Sequence, residues 1–358
     1  MKSRKPLDAK AVGLLSGGLD SILACRMMLE QEIEVVAVNF TSPFCTCTRK
    51  GCRHQASKVA EELSIPIKLL PTGQDYIAMV KHPKHGRGSG MNPCIDCRIF
   101  TFSRARAYAD EIGASFVFTG EVLGERPMSQ HLRALKLIEA ESGLQGRLLR
   151  PLSALLLEPT KPELEGIVDR SRLKAIRGRS RKPQMEMAEG YCMTDYPCPA
   201  GGCLLTDKQF ATRLKDAFAH GEDTPRDMEF LKLGRHFRLP SGAKVIVGRN
   251  ETENELLGRL AQDEDERLEA EDFVGPLTIL RSLMGTPLRV VSPPANDAHL
   301  AARICGRYCD GQEGAMIRIS CGGLTLEIEP MSDAELAQLR VGEKGTGVRG
   351  WGSGVRRG

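Results

Sequence analysis

Six residues, Ser16-Gly17-Gly18-Leu19-Asp20-Ser21, constrain the fold more than any other segment of the chain. They follow an apolar run, Ala11 to Leu15, that reads as a buried parallel strand, and they precede Ile22 to Glu30, whose apolar spacing is helical. A glycine-rich bend between strand and helix brings backbone N–H groups to one point, where the helix N-terminus adds positive potential. That is a phosphate cradle. Gly17 and Gly18 remove the Cβ atoms that would hold the chain away from a pyrophosphate. Ser16 and Ser21 can donate hydroxyl hydrogen bonds, and Asp20 can hold Mg²⁺ directly or through water. The loop lacks the lysine of the G-x-x-x-x-G-K-[ST] phosphate loop. The bland alternative is an ordinary glycine turn before a helix.

The context favours the cradle. Ala11–Leu15, Val35–Phe40, Ile67–Leu70 and Ser115–Thr119 read as strands, and Ser21–Glu30, His54–Leu63 and Cys97–Ile112 as helices. Such a βαβα order predicts an α/β fold with a doubly wound parallel sheet. Ligands bind such sheets at the carboxyl ends of the strands, where the loop, Phe40 and Gly120 would meet. From Leu149 to Asp195 the chain is loop-rich and basic, and Pro197 to Cys203 forms a Pro/Gly/Cys turn. A helix is expected at about Lys208 to His220, then a linker over Gly221 to Asp227. Alternating runs at Lys244–Val247, Leu277–Leu280, Met316–Ile319 and Leu324–Ile328 predict a second, smaller β-containing domain, with a short helix at Ala334–Leu339. The tail from Gly342, with the single Trp351, has too little apolar content to pack and is expected to be disordered. The expected domains are therefore 1–205, a helix and linker over 206–229, 230–330, and a short helix and tail over 331–358.

The 358 residues contain no apolar stretch long enough to span a membrane, and the apolar run after the basic N-terminus is too short for a signal peptide. The expectation is a cytoplasmic protein with no membrane partner. Twelve cysteines then call for metal, cluster or thiol chemistry rather than disulfides. Cys94 and Cys97 form a C-x-x-C that can hold a metal or cluster or act as a redox pair. Cys203, beside Gly201 and Gly202, has the surroundings of a sulfur that another group must approach. Three such thiolates can hold a [4Fe–4S] cluster and leave one iron open; the alternative is buried structural cysteines. Cys192 and Cys198 are substitutes for Cys203. Cys45, Cys47, Cys52 and His54 form a C-x-C-x₄-C-x-H set that could bind Zn²⁺ or be only a thiol-rich loop. Cys25 reads as core, and Cys305, Cys309 and Cys321 as structural.

Net charge is only +4, but Arg170 to Lys182 carries seven basic side chains and no acid. Arg177, Arg179, Arg181 and Lys182 could grip nucleic-acid phosphates, or the stretch could be a solvated face.

Ser16 to Ser21 resembles the SGG-x-DS loop of the PP-loop ATP pyrophosphatases, and the chain as a whole resembles the tRNA 2-thiouridylases of that family. Thr119-Gly120-Glu121 looks like their T-G-H, with Glu121 in place of the histidine. Asn92-Pro93-Cys94-x-x-Cys97 matches their N-P-[DC]-x-x-C, and Gly202-Cys203-Leu204 with Phe210 is similar to their G-x-C-F-I-G…F segment. The resemblance implies a PP-loop or HUP-like, adenine nucleotide alpha hydrolase-like fold. It implies ATP contacts at Ser16, Gly17, Gly18, Asp20, Ser21, Phe40 and Gly120, and catalytic thiols at Cys97 and Cys203. Cys94 stands where some members have Asp, which favours the iron–sulfur kind, with a cluster on Cys94, Cys97 and Cys203. Residues 126–130 and 178–182 depart from the family pattern. Val245-Ile246-Val247-Gly248-Arg249-Asn250 with Glu253-Asn254 looks like the V-G-R-N…E-N stretch of the NFACT RNA-binding domain, which implies RNA contact.

The function these features predict is ATP-dependent tRNA thiolation. ATP adenylates a uridine oxygen of tRNA, and sulfur from a cysteine desulfurase, a relay protein or free sulfide replaces it. The alternatives are a PP-loop ligase or amidotransferase partner, which has no use for three thiols, and a non-catalytic RNA-binding adaptor that senses ATP.

Overall fold

Neighbouring residues of the first strand send their side chains to opposite faces: Ala11 joins one buried apolar cluster and Val12 another. The same alternation runs through Ala37 and Val38, and through Phe116, Val117 and Phe118. A sheet buried on both faces must be covered by helices on both, which is the architecture that strand–helix alternation predicts. The computed structural model describes residues 9–45, 52–193, 203–282, 295–311 and 314–342. The chain forms two units, divided between Asp207 and Lys208.

In the first unit the order is β1 (Lys10–Leu14), α1 (Leu19–Leu29), β2 (Glu34–Thr41), α2 (Cys52–Glu62), β3 (Ile67–Pro71), α3 (Gln74–Lys81), α4 (Cys94–Glu111), β4 (Phe116–Thr119), α5 (Leu132–Ser142), β5 (Leu148–Leu149), α6 (Lys161–Leu164) and α7 (Lys182–Gly190). The strands pair in parallel in the order β3-β2-β1-β4-β5. The order reverses between β1 and β4, so a crevice opens at their carboxyl ends. The loop after β1 and Gly120 after β4 both lie there.

The second unit holds α8 (Lys208–Ala219), α9 (Pro225–Phe230), β6 (Arg235–Arg238), β7 (Lys244–Val247), α10 (Glu251–Leu260), β8 (Glu266–Ala270), β9 (Thr278–Arg281), α11 (Ala295–Gly306), β10 (Ile317–Cys321), β11 (Leu324–Ile328) and α12 (Asp333–Leu339). Its six strands form one antiparallel sheet in the order β11-β10-β8-β9-β7-β6. Val245 and Val247 face one apolar cluster and Ile246 the other.

Three stretches differ from expectation. Residues 221–227, expected as a linker, contain the start of α9: Thr224 Oγ1 donates to Asp227 Oδ2 at 2.7 Å in a capping box. Residues 251–260, given no element between the alternating runs at 244–247 and 277–280, are helical because Asn250 accepts a hydrogen bond from the Glu253 N–H at 3.0 Å, and Glu251 and Glu253 sit at the positive helix end. The basic run ends in α7, started by Pro183 within its first turn. The tail expected to be disordered falls, from residue 343 on, outside the described residues.

Candidate functional site

The glycine loop turns back on itself through short hydrogen bonds. Ser21 Oγ donates to the Gly18 carbonyl at 2.7 Å, and the Gly18 N–H donates to Ser16 Oγ at 3.3 Å. Gly17 has φ +80°, a left-handed conformation that favours glycine. Gly18 caps α1 without a side-chain hydrogen bond, leaving the helix end open to a ligand. Gly120 passes so close to this turn that a Cβ there would lie 2.4 Å from the Asp20 carbonyl carbon. Glycine at 120 is thus required by the contact between β4 and the start of α1, whatever it does toward a nucleotide.

Around the loop is a cavity of about 380 Å³, lined by Ser16, Gly18, Asp20, Ser21, Phe40 and Gly120 among others. Its wall is charged. Asp20 Oδ1 is buried without a hydrogen-bond partner, and Arg181 Nη2 lies 3.8 Å from Asp20 Oδ2. Burial raises the Asp20 carboxyl above its usual range, and Arg181 offsets part of this. Glu125 is raised by burial and by the nearby Asp20 charge. Two carboxylates whose ionisation burial disfavours, one with an orphaned oxygen, suit a Mg²⁺ that also takes phosphate oxygens.

Sequence reasoning misses Glu125, Arg126 and Gln130 in this wall, and Arg98. Residues 126–130 stand out in the sequence only as a departure from a family pattern. The loop closes on itself, with the Gly124 N–H donating to the Gln130 carbonyl at 2.7 Å. Arg98 has one visible signal, its place directly after the C-x-x-C. Its Nε lies 3.3 Å from Glu121 Oε1, and the other Glu121 oxygen accepts from the fully buried Arg150 Nε at 3.1 Å. Burial lowers the Arg98 pKa, but Glu121 and the Cys97 and Cys94 thiols more than offset this and hold the guanidinium charged.

The three thiols arrive from two segments. Cys94 and Cys97 lie one turn apart at the start of α4. The Asn92 amide donates to Cys94 Sγ at 3.2 Å. Tyr76 Oη lies 3.1 Å from Cys97 Sγ, and both residues line the cavity around the loop. Cys203 is brought in by two contacts of the 3₁₀ turn Leu204–Thr206, which it caps. The Leu204 N–H donates to the Phe44 carbonyl at 3.0 Å, and the Leu205 carbonyl accepts from the Met91 N–H at 2.8 Å. Gly90 lets this second contact form, since a Cβ there would lie 2.3 Å from Leu205 O. Burial pushes the Cys203 thiol up to about 12, and the thiols of Cys97, Cys94 and Cys45 add to the rise. Cys97 is raised by burial, with Arg98 and the Tyr76 hydroxyl opposing.

Cys45 forms an isolated antiparallel bridge with Cys203. The fold therefore places it with the Cys94, Cys97 and Cys203 set, not only with its sequence neighbours. Cys47 lies outside the described residues, and so do the side chains of Cys52 and His54. Among the described residues no three His, Cys, Asp or Glu side chains are already gathered at metal-binding spacing. The Cys94, Cys97 and Cys203 donors nevertheless match an iron–sulfur cluster in kind, because soft thiolates are what iron–sulfur clusters take. Of the substitutes for Cys203, Cys192 is exposed at φ +54° and Cys198 lies outside the described residues.

Within the basic run, Arg177, Arg179 and Lys182 are exposed, whereas Arg181 turns inward to Asp20. No helix among the described residues is long and apolar enough to cross a membrane.

Comparison with known proteins divides the chain in the same places. Residues 7–158 match the model of the thiamine biosynthesis protein (ThiI) family, and residues 234–340 match that of the NFACT protein RNA binding domain. The tRNA-specific 2-thiouridylase MnmA of Syntrophotalea carbinolica is 32% identical over 114 residues, covering 30% of this chain and 32% of the relative. That of Bradyrhizobium sp. is 30% identical over 143 residues, 37% of this chain and 36% of the relative. The chain spans about a third of the length of these curated relatives. Among solved structures, a 4-thiouridine synthetase in complex with RNA and bound ATP superposes at TM-score 0.34 with 24% identity, over 53% of this chain and 54% of that one. The U34-tRNA thiolase NcsA from Methanococcus maripaludis with its [4Fe-4S] cluster gives TM-score 0.34 and 18% identity, over 64% and 72%.

Proposed function

We propose that this chain, which joins a PP-loop domain of the ThiI type to an RNA-binding domain of the NFACT type, is an ATP-dependent tRNA sulfurtransferase. The observation that carries the reading is that Cys97 and the Ser16–Ser21 loop line one cavity. Nucleotide activation and sulfur delivery can then act on the same base without its moving between sites.

ATP would lie with its phosphates on the loop. A uracil carbonyl oxygen attacks the α-phosphorus, the bond to the β-phosphate oxygen breaks, and pyrophosphate leaves. The Ser16 and Ser21 hydroxyls, the loop N–H groups, Arg126 and Arg181 would take up the charge that develops on the leaving group. Asp20 and Glu125 would hold Mg²⁺, which when bound supplies further charge neutralisation. A terminal persulfide sulfur on Cys203 then attacks the activated carbon, and AMP departs with the C–O electron pair. The Cys97 thiolate attacks the inner Cys203 sulfur. The base keeps the outer sulfur as a thiocarbonyl, and the Cys97–Cys203 disulfide is returned to thiols by a dithiol reductant. Arg98 and Tyr76 stabilise the Cys97 thiolate as it forms, which its burial otherwise disfavours. On the alternative route Cys94, Cys97 and Cys203 would instead hold a [4Fe–4S] cluster, which would supply an open iron able to bind sulfide, and Cys97 and Cys203 would then form neither persulfide nor disulfide. The tRNA base must be unstacked or in a loop to enter the cavity.

The test is pyrophosphate release with unmodified tRNA and ATP, with mass spectrometry of the product nucleosides. Asp20→Ala should abolish both pyrophosphate release and thionucleoside while the protein stays folded. Wild-type rates in that variant overturn the reading.

A further inference from the structure

In the second unit most cations are answered by carboxylates. Arg238 pairs with Asp216 and Glu222, Arg281 with Asp227 and Asp265, and Arg303 with Glu335. Arg235 and Arg340 are the contrast. Among the described residues neither makes an ion pair, although both are held in fixed places.

Arg235 opens β6, the last strand of the sheet order, and donates from Nη1 to the Gly248 carbonyl at 3.1 Å. Its guanidinium stacks 4.4 Å above the Tyr308 ring. Arg340, just past α12, bridges to Phe237 on the free side of β6, and its guanidinium lies 5.3 Å from the Phe237 ring centre. Its Nη2 donates to Tyr308 Oη at 2.5 Å. Phe237 and Tyr308 are themselves neighbours, with ring centres 6.3 Å apart. Two guanidiniums are thus seated on one aromatic pair at one side of the sheet. Arg249, directly after Gly248, adds a third, its charge shared with Glu253. Burial, and then the like charges of Arg249 and Arg340, hold the Arg235 pKa below its usual value.

Like charges held together are costly, and here a single carboxylate, Glu253, paired with Arg249 and acting on Arg235, answers three guanidiniums, whereas structural arginines elsewhere in the same unit are directly paired. A bound anion would supply what is missing. Guanidiniums held on aromatic faces keep their N–H edges available for two-pronged contacts to phosphate. We infer that Arg235, Arg340 and Arg249, ordered by Tyr308 and Phe237, form a docking surface for the phosphodiester backbone of RNA. The inference rests on the RNA-binding reading of residues 234–340. It adds to that reading the residues and the mode of contact, which follows backbone charge and not base sequence.

The test uses the full chain and an unmodified tRNA transcript without ATP, with affinity measured across salt concentrations. Arg235→Gln with Arg340→Gln should weaken binding about tenfold and reduce the log–log salt slope by about 2. Lysine at both positions should restore the slope but only part of the affinity, since charge returns without the stacked fork. Arg318→Gln, at an exposed arginine paired with Asp272, should change neither. Should the glutamine pair fail to fold, arginine-specific modification of the wild-type protein by phenylglyoxal tests the same surface. Bound tRNA should protect Arg235 and Arg340 and leave Arg318 reactive. Equal modification with and without tRNA, or an unchanged slope in a folded double variant, overturns the surface. If the slope instead responds only to Arg177, Arg179 and Lys182, tRNA binds the first unit and the sulfurtransferase reading survives without this inference. If no tRNA binds at all, both fall.

Discussion

In residues 208–342 buried charges meet their partners directly. Lys244, almost wholly buried, reaches Glu222 at 2.5 Å, and Arg281 bridges Asp227 and Asp265 at 2.8 and 3.0 Å. In residues 9–207 the cavity wall leaves polar atoms unanswered: Asp20 Oδ1, Asn39 Oδ1 and Arg181 Nε are buried and unbonded. The cysteines divide in the same way. Cys305 and Cys321 are buried among apolar side chains of the second core, whereas Cys97 lines the cavity and Cys94 and Cys203 lie near enough for the thiols to raise one another's pKa. Buried polar groups without partners cost free energy, so a fold that keeps several around one cavity holds them for something that binds there. The second unit also leaves His236 Nδ1, Asn254 Oδ1 and Thr278 Oγ1 buried and unbonded, so the contrast rests on its buried charges, which are paired, and not on its neutral polar atoms.

The largest effect expected from this contrast is on chemistry. Single Ser substitutions at Cys97 or Cys203 should abolish thiolation while leaving ATP binding intact, because the phosphate loop stands on a different segment. Anaerobically reconstituted wild-type protein should carry about four irons per chain if one [4Fe–4S] cluster binds. Ser at Cys94, Cys97 or Cys203 should lose that iron. Cys45→Ser should lower iron retention or sulfur transfer, because its segment pairs with that of Cys203. Cys305→Ser should do the opposite, sparing activity and lowering the melting temperature, since it buries a hydroxyl in a packed core. Full thiolation by the Cys203 variant would erase the distinction between the two sets.

Next in size is an alkylation difference. A thiol with its pKa near 12 instead of 9.0 carries about a thousandth of the thiolate at any pH below 9. Cys203 should therefore react with iodoacetamide more slowly at pH 8 than an ordinary cysteine, although the residue is itself exposed to solvent. The rate should keep rising with pH beyond 10, where an ordinary thiol levels off. A plateau at pH 9 to 10, followed by peptide mass spectrometry, would show that Cys203 is not held protonated by burial.

How much of this was legible in the sequence depended on distance along the chain. The first sheet was legible because Ala11–Leu15 and its counterparts are continuous apolar runs bounded by glycine and polar turns, and the loop after β1 announces itself. The grouping of Cys45 was not. Spacing ties it to Cys47, Cys52 and His54, while the fold pairs its backbone with Cys203, and no local pattern records a bridge between distant segments. The same holds for Glu121. Beside Gly120 it reads only as a substituted histidine, yet it is buried between Arg98 and Arg150. In the second unit β8 escaped notice because its exposed positions are charged, as in Glu266-Arg267-Leu268-Glu269, so its single buried leucine gave no alternation to see.

A third, smaller effect probes how the second unit satisfies its buried charge. Glu222→Gln leaves Lys244 buried without a carboxylate and should cost about 3 kcal/mol, read as a lower denaturation midpoint. Lys244→Met, which removes the charge and keeps the bulk, should cost much less, because replacing a buried charge by a packed apolar chain also removes its desolvation penalty. Equal losses in the two variants would mean that packing, not charge, fixes this site. Activity per folded molecule should be unchanged in both, in contrast to Asp20→Ala.

The smallest effect tests where the second unit begins to be cooperative. The stretch before Asp227 reads as a linker because Gly221, Asp223 and Pro225 are turn residues. In the fold the Thr224 N–H and hydroxyl both donate to Asp227 Oδ2, at 2.9 and 2.7 Å, while Asp227 Oδ1 accepts from Arg281 Nη1 at 2.8 Å. The cap of a short helix is thereby tied to β9 in the middle of the sheet. Burial raises the Asp227 pKa, but these hydrogen bonds and the Arg281 charge more than offset it, so the carboxyl is held below its usual value. A depressed carboxyl contributes stability that is present above the ordinary carboxylate pKa and lost as pH falls through the lowered one. Thr224→Ala should cost about 1 kcal/mol at pH 7, the usual value of a helix cap. The gap between variant and wild type should close as Asp227 becomes protonated in acid. A linker would show no loss at any pH. Melting curves of the two proteins at pH 7 and pH 3 therefore decide whether residues 221–227 connect the second unit or belong to it.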